Sequence, residues 1–237
     1  MRGGVSRGRT ALLGLDVGTT TVKALLVAPH GEPLGLHVAP YPAERASDQP
    51  EEWWEAVLRA VRGLDVASRR VDIAAVGVCG RGSGLALLDR RRDPIPAPWA
   101  RVRARAGALG LPATRRFRRV AQWGRLLRAL AHESPAASAA VVLVLPVKDY
   151  IALRLTGVTG TDPAAAGCLA WPPRPERLGV AHALLPQIRP PESRLAALAP
   201  GRPEPSGCQP AFPWPWARTT ASPPMSGPGC SGPGRGA

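Results

Sequence analysis

The chain has 237 residues, of which 45% are hydrophobic, and it is strongly basic, with 31 lysines and arginines against 17 acids and a formal net charge of +14. No apolar run reaches the roughly 18 to 20 residues that a membrane-spanning helix needs, and the first ten residues lack the apolar core of a signal peptide. These features exclude an integral membrane protein and predict a cytoplasmic, globular protein of one or two domains.

A charge this high is typical of proteins that bind nucleic acid or another polyanion, and this is the alternative hypothesis for the chain. All but two of the basic residues, Lys23 and Lys148, are arginine. Proteins that bind phosphate backbones usually interleave aromatic residues with their basic ones, whereas these arginines cluster where the sequence is least patterned. We therefore do not expect nucleic acid or a membrane to be its partner.

The four cysteines have no metal-ligand spacing, which predicts buried or free thiols in a reducing compartment. They are Cys79, Cys168, Cys208 and Cys230.

Three apolar runs near the N-terminus predict three strands, at residues 11–17, 22–28 and 34–39. The segment 28–33, "APHGEP", contains the Gly and Pro of a hairpin turn. A helix is predicted in "SDQPEEWWEAVLRAVRGL", with Asp48 as its N-cap, Pro50 in its first turn and Gly63 at its end. The order of elements therefore begins with three strands and a helix.

The pattern after the helix is less even. Residues 72–80 predict a buried strand and residues 84–89 predict another. Residues 90–131 are arginine-rich and poorly patterned, with Asp93 as their only acid. Order returns with a short strand at 141–145 and a helix from Lys148 that is stopped by Gly157.

The sharpest local signal is "LDVGTTTVK". Asp16 ends a strand, Gly18 allows a tight turn, and three threonines follow with hydroxyl and backbone N–H donors. A nucleotide phosphate tail with its metal ion needs this combination of close backbone approach, neutral donors and one carboxylate. Taken alone, the stretch fits a plain β-hairpin equally well.

Several blocks together resemble the FGGY family of carbohydrate kinases, in its xylulokinase-like branch. They occur in family order: "GLDVGTTTVKALLVAPHGEPLG", "DQPEEWWEAVLRAVRGL", "DIAAVGVCGRGSGLALLD", "PIPAPW", "VKDYIALRLTGVTGTDPAAAG", "LAW" and "LLPQIRPPES". The resemblance implies an α/β fold, the RNase H-like domain of the actin-like ATPases, with a mixed central sheet flanked by helices. It also implies transfer of the γ-phosphate of ATP, with Mg²⁺, to a sugar or polyol hydroxyl. Another ATPase of the actin-like fold is a further alternative.

On the family pattern, the hairpin faces the phosphates and the metal from the N-terminal side. The resemblance assigns nucleotide contact to Asp16, Gly18, Thr19, Thr20 and Lys23, and metal contact to Asp16. Such a hairpin supplies one half of an electrostatic clamp, since phosphoryl transfer depends mainly on positioning and charge neutralisation.

The sugar-facing residues depart from the family pattern in two places. Family members often carry Gly-Gln after the fourth strand and Trp-x-Asp-x-Arg after the fifth, whereas here Arg81 replaces the amide and Arg101 replaces the acid. The resemblance assigns substrate contact to Gly80, Arg81, Trp99, Arg103 and Asp162. Asp162 also fits a turn acid that caps local N–H groups, and we expect Lys148 and Asp149 to be structural.

The family's general base is an aspartate in a stretch like Val-Ala-x-Gly-x-His-Asp, which this sequence lacks. Residues 213–220, "PWPWARTT", stand in its place. Written in GC-rich codons and read from the third nucleotide, they encode Val-Ala-Leu-Gly-Ala-His-Asp. We hypothesise a frameshift near residues 200–210, so that no catalytic residue is retained and the chain alone is inactive.

The hypothesis sets the expected domain organisation. We expect a disordered N-terminus over residues 1–9 and a sugar-binding, RNase H-like domain over residues 10–200. Residues 201–237, with nine prolines and seven glycines, are expected to be a disordered, out-of-frame tail.

Overall fold

The structure is a computed structural model. It describes residues 9–41, 49–66, 69, 71–82, 84–109, 118–165, 181–190 and 192–198. The predicted tail at 201–237, and all of the predicted N-terminal segment except Arg9, lie outside these residues. So do the predicted N-cap Asp48 and the block "LAW".

Four strands form the main sheet, in the order β3-β2-β1-β4. β1 is antiparallel to β2 and β2 is antiparallel to β3, whereas β4 is parallel to β1. The sheet is therefore mixed, as predicted. The strands are β1 (Arg9–Val17), β2 (Thr21–Val27), β3 (Pro33–Pro40) and β4 (Val71–Gly80).

The turn between β2 and β3 forms where the sequence predicts it. Gly31 has a φ of 95°, a left-handed conformation that glycine adopts without steric cost. Its amide donates to the Ala28 carbonyl at 2.9 Å, and the Ala28 amide donates to the Glu32 carbonyl at 2.8 Å. These bonds close the hairpin, and a one-residue register shift between Leu26 and Val27 then places Thr21 opposite Pro40.

Helix α1 (Pro50–Gly63) covers one face of the sheet. The inward positions of β1 and β2, such as Leu13, Leu15 and Leu26, are at most 2% exposed. The N-cap of α1 is Gln49, which makes no side-chain capping bond, and Pro50 occupies the first turn of the helix. The period-2 pattern of the strands and the apolar face of the helix thus build one core.

The opposite face of the sheet is open among the described residues. Leu12, Leu36 and Val38 are 39%, 62% and 43% exposed. Six of the ten residues of β4 are also exposed, so the prediction of a buried strand at residues 72–80 is wrong. The apolar run reflects an edge strand that pairs on one side only, with β1, within the part of the chain that the structure describes.

A second layer lies beside the sheet. β5 (Leu85–Leu88) and β6 (Leu143–Pro146) pair antiparallel. They pack against α2 (Trp99–Ala108) and α3 (Arg118–Glu133) in a second core cluster that contains Val102, Trp123 and Leu130. The arginine-rich stretch therefore contains two helices, which its weak apolar pattern did not predict.

Two further α-helices and one 3-10 helix (His182–Leu184) follow in the described part of the chain. The short α4 (Pro135–Ala140) precedes β6, and α5 (Val147–Thr156) follows it. α5 ends at Gly157, whose φ is 74°, as predicted for a glycine at a helix C-terminus. Within the described ranges, no helix combines the length and the apolar character needed to cross a bilayer.

Candidate functional site

The turn between β1 and β2 is closed by a glycine. The Gly18 amide donates to the Thr21 carbonyl at 3.0 Å. A Cβ atom on Gly18 would lie 3.0 Å from that same oxygen, so any larger residue has to displace the backbone. Thr19 and Thr20 form the exposed tip.

Two residues from neighbouring strands brace this turn. The Arg81 amide, directly after β4, donates to the Val17 carbonyl at 2.9 Å. The Tyr41 amide, directly after β3, donates to the Thr20 carbonyl at 3.0 Å. The Tyr41 hydroxyl donates to the Gly18 carbonyl at 3.4 Å. The tip is therefore held from the β3 side and from the β4 side.

A polar row crosses the open face of the sheet next to the turn. Lys23 lies opposite Asp16 on β2, and Cys79 lies beside Asp16 on β4. The Lys23 Nζ is 3.7 Å from one Asp16 carboxylate oxygen, and the Cys79 thiol is 3.5 Å from the other. Partial burial, together with the Asp16 charge, raises the pKa of the Cys79 thiol, so the thiol stays protonated and donates.

A metal ion at Asp16 would need further ligands other than the His, Cys, Asp and Glu side chains of the described residues. Among the described residues, no group of three or more His, Cys, Asp or Glu side chains is placed to hold a metal. The Asp16 side chain is 48% exposed, and the threonine tip is adjacent. One accessible carboxylate is the donor set through which Mg²⁺ is commonly held when phosphate and water oxygens complete the octahedron.

A cavity of about 660 Å³ lies between the start of α1, β5, α2 and α3. Trp99 and Arg103, both on α2, line it. Gln49, Glu51 and Trp123 also line it, and sequence reasoning did not single them out. Trp123 is 2% exposed, and its indole N–H has no hydrogen-bond partner in the described structure. The cavity thus combines aromatic surface, a guanidinium and a carboxylate.

Gly80 and Arg81 lie between the turn and the cavity rather than in the cavity wall. The Arg81 guanidinium lies over the Trp53 ring, 5.6 Å from its centroid. A Cβ atom on Gly84, which does line the cavity, would lie 3.2 Å from Arg81 Nε. Arg81 therefore joins the back of the cavity to the base of the β1–β2 turn.

Asp162 lies elsewhere, on a groove of about 800 Å³ beside β4. Its carboxylate accepts from the amides of Ala164 and Ala165 at 2.8 and 2.9 Å. It also pairs with Lys148 Nζ at 2.8 Å. Burial acts to raise the pKa of Asp162, but these hydrogen bonds outweigh it and lower the pKa. The geometry fits a turn-capping acid.

Lys148 also binds Asp149, which is 3% exposed. Asp149 in turn accepts from the Thr161 hydroxyl. Burial dominates at this carboxyl and raises the pKa of Asp149. At Lys148, burial acts to lower the pKa, but the bonds to Asp149 and Asp162 prevail and raise it. The network ties the start of α5 to the turn at residues 161–165.

The predicted site residues therefore fall into separate places. Asp16, Gly18, Thr19, Thr20 and Lys23 lie together at the β1–β2 turn. Trp99 and Arg103 share the cavity, Gly80 and Arg81 lie behind it, and Asp162 lies on the β4 groove. The nucleotide and substrate roles given to these residues stay predictions.

Comparison with known proteins places these features in a family context. Residues 11–104 match the model described as "FGGY family of carbohydrate kinases, N-terminal domain". The chain is 30% identical over 176 residues to a xylulose kinase of Escherichia coli (strain K12), a match that covers 67% of this chain and 36% of that protein. It is 33% identical over 183 residues to a xylulose kinase of Streptomyces coelicolor, covering 68% of this chain and 36% of that protein.

A solved structure shows the same fold. The ligand-bound xylulose kinase from Lactobacillus acidophilus superposes with a TM-score of 0.62 at 21% identity, covering 80% of this chain and 44% of that one. The chain thus spans 36% of the length of these two curated relatives.

Proposed function

We propose that this chain serves in the phosphorylation of a sugar or polyol hydroxyl by ATP. The premise is that residues 11–104 are the N-terminal domain of the FGGY family of carbohydrate kinases. The chain would contribute a phosphate-facing hairpin and a sugar-facing cavity. The chain spans 36% of the length of the curated relatives it matches. The proposed activity is therefore that of a whole kinase, to which this chain would contribute one part.

The β1–β2 turn carries the proposal. Its exposed tip presents two threonines, Thr19 and Thr20, while Asp16 and Lys23 stand beside it with opposite charges. Phosphoryl transfer needs positioned donors and compensation of the phosphate charge rather than covalent help from the protein. Lys23 would attract the phosphate oxygens, and the threonine tip would orient them.

Asp16 would hold Mg²⁺ together with phosphate oxygens and water. Bound there, the ion would neutralise negative charge on the phosphates. Lys23 lies 3.7 Å from Asp16, close enough to compensate the carboxylate when no ion is bound. When the nucleotide arrives, Mg²⁺ would therefore replace the Lys23 ammonium as the cation beside the Asp16 carboxylate.

The cavity would hold the sugar. Trp99 offers an apolar ring face for the C–H side of a sugar, and Arg103 offers N–H donors to its hydroxyl oxygens. The sugar hydroxyls also need acceptors, which arginine cannot provide. Gln49 and Glu51 at the cavity edge are suited to this role.

Ligand-dependent thermal stabilisation tests the proposal, because a ligand that binds the folded state raises the unfolding temperature. The full chain is heated with D-xylulose, xylitol, glycerol or gluconate, each with and without Mg·ADP. We expect concentration-dependent stabilisation by at least one sugar or polyol. No stabilisation by any of them, combined with heparin retention that falls steeply with salt, would favour a polyanion-binding protein instead.

A further inference from the structure

Four carbonyl groups around the β1–β2 turn each accept a hydrogen bond from a described residue. These four oxygens are therefore held by the protein rather than left to face a bound anion. A carbonyl oxygen carries partial negative charge and would repel a phosphate. The carbonyls of Val17, Gly18, Thr20 and Thr21 accept, in that order, from the Arg81 amide, the Tyr41 hydroxyl, the Tyr41 amide and the Gly18 amide.

Fixing a carbonyl also fixes the N–H group of the same peptide. The described part of the chain has no cis peptide bond, and in a trans peptide the C=O and N–H groups point in opposite directions. The bond to the Gly18 carbonyl therefore turns the Thr19 amide outward. Within the described ranges, the amides of Thr19 and Thr20 donate to no protein group.

We propose that Tyr41 is a positioning residue, whose hydroxyl holds the Gly18–Thr19 peptide with its N–H group toward the phosphate. The inference rests on the proposed function, since it gives the Thr19 amide a phosphate to bind. Tyr41 reaches the turn because β2 and β3 pair antiparallel, with Thr21 opposite Pro40. A residue 23 positions along the chain thus sets the orientation of the tip.

The tyrosine hydroxyl suits this task. Burial raises the pKa of Tyr41 to about 12, against the opposing effect of the Arg81 and Arg59 guanidinium groups. The hydroxyl is therefore protonated, and able to donate, at neutral pH. At 3.4 Å the bond is long for O–H···O, so it contributes little to stability.

Gly18 explains why an orienting group is needed. Glycine lacks the steric barrier that restricts other residues to a few backbone conformations. Its peptide can rotate about the flanking bonds unless its carbonyl is held. Replacing the hydroxyl of Tyr41 by hydrogen leaves that carbonyl without its donor and frees the Thr19 amide to turn inward.

The test compares Tyr41→Phe with Tyr150→Phe in the full chain. Tyr150 is fully buried on α5 and its hydroxyl accepts from Arg154, on the same helix, at 2.9 Å, so the control loses a tyrosine hydroxyl that is bonded within α5. ¹⁵N NMR of the ligand-free proteins reports whether the Thr19 amide has one orientation or exchanges between two. Titration with Mg·pyrophosphate then gives the dissociation constant.

We expect exchange broadening of the Thr19 amide in Tyr41→Phe only, and about a tenfold weaker pyrophosphate affinity, the size of one lost hydrogen bond to a charged group. A single Thr19 environment in Tyr41→Phe, or an affinity equal to that of Tyr150→Phe, would overturn the inference. If wild type itself does not bind pyrophosphate, the proposed function fails, whereas the ligand-free spectra still decide whether Tyr41 orients the turn.

Discussion

Asp16 on β1 and Lys23 on β2 lie directly opposite each other, with the carboxylate 3.7 Å from the ammonium and both side chains about half exposed. An ion pair this accessible contributes little to stability. On the proposed function, its position beside the glycine turn gives it another use, since the two charges would match a metal ion and the phosphates that bring it.

Replacing Asp16 with Asn removes the charge and keeps the shape of the side chain. We expect the affinity for Mg·ADP to fall about tenfold or more, because charged hydrogen-bond and metal ligands contribute more than neutral ones. The unfolding free energy should change by less than about 0.5 kcal/mol. Isothermal titration calorimetry and urea denaturation measure the two quantities. Asp72→Asn, an exposed acid on β4, is the matched control and should bind like wild type.

Substituting Gly18 by Ala should destabilise the hairpin. The new methyl group would lie 3.0 Å from the Thr21 carbonyl oxygen, and relieving such a contact costs about 1 to 3 kcal/mol. Gly77→Ala on β4 is the control, since its Cβ meets no atom within 4 Å. Urea denaturation of both variants measures the difference, and equal stabilities would show that the turn does not require glycine.

Arg103 and Arg101 offer a matched pair on one helix. Arg103 lines the cavity, whereas Arg101 is exposed and lies 3.5 Å from Glu133. We expect Arg103→Met to reduce by about tenfold the affinity for any sugar that stabilises wild type, through the loss of a charged donor. Arg101→Met should leave that affinity unchanged. If both variants bind the sugar like wild type, the cavity is not the sugar site.

Removing Lys148 should leave Asp149 buried without its cationic partner. We expect Lys148→Met to lose about 3 to 5 kcal/mol of unfolding free energy at pH 7. Arg90→Met, the loss of an exposed cation, should cost much less. Urea denaturation at several pH values measures both.

The pH dependence of Lys148→Met follows from the raised pKa of Asp149. A carboxyl whose folded pKa exceeds its unfolded value stabilises the fold at low pH, and the stability is lost as pH rises through the folded pKa. The deficit should therefore shrink as pH falls from 7 toward the ordinary carboxyl range. A deficit that does not depend on pH would place its cause in lost packing instead.

The sequence predicted the strands of the main sheet because each contains an apolar run and the hairpin turn contains Gly31. The family prediction is confirmed by the match over residues 11–104. The turn residues Asp16, Gly18 and Lys23 came together because they are close in sequence. These predictions were made from patterns of residues that are close together in the sequence.

The sequence did not predict the long-range contacts. Tyr41 shares no motif with the turn that it contacts, and only the β2–β3 register brings it there. That register includes a one-residue shift between Leu26 and Val27, which the hairpin turn at Gly31 does not predict. Helices α2 and α3 were missed because arginine side chains interrupt their apolar faces. β4 was misjudged because an apolar edge strand and a buried strand have the same composition.

Titration of the full chain with Mg·ADP, followed residue by residue by ¹⁵N NMR, tests the central claim most directly. We predict saturable shifts centred on the amides of Thr19 and Thr20, greatly weakened in Asp16→Asn and preserved at moderate salt. Shifts that spread over the arginine-bearing surface and vanish with added salt, or no saturable shift at the turn, would contradict the assignment of the β1–β2 turn as a phosphate site.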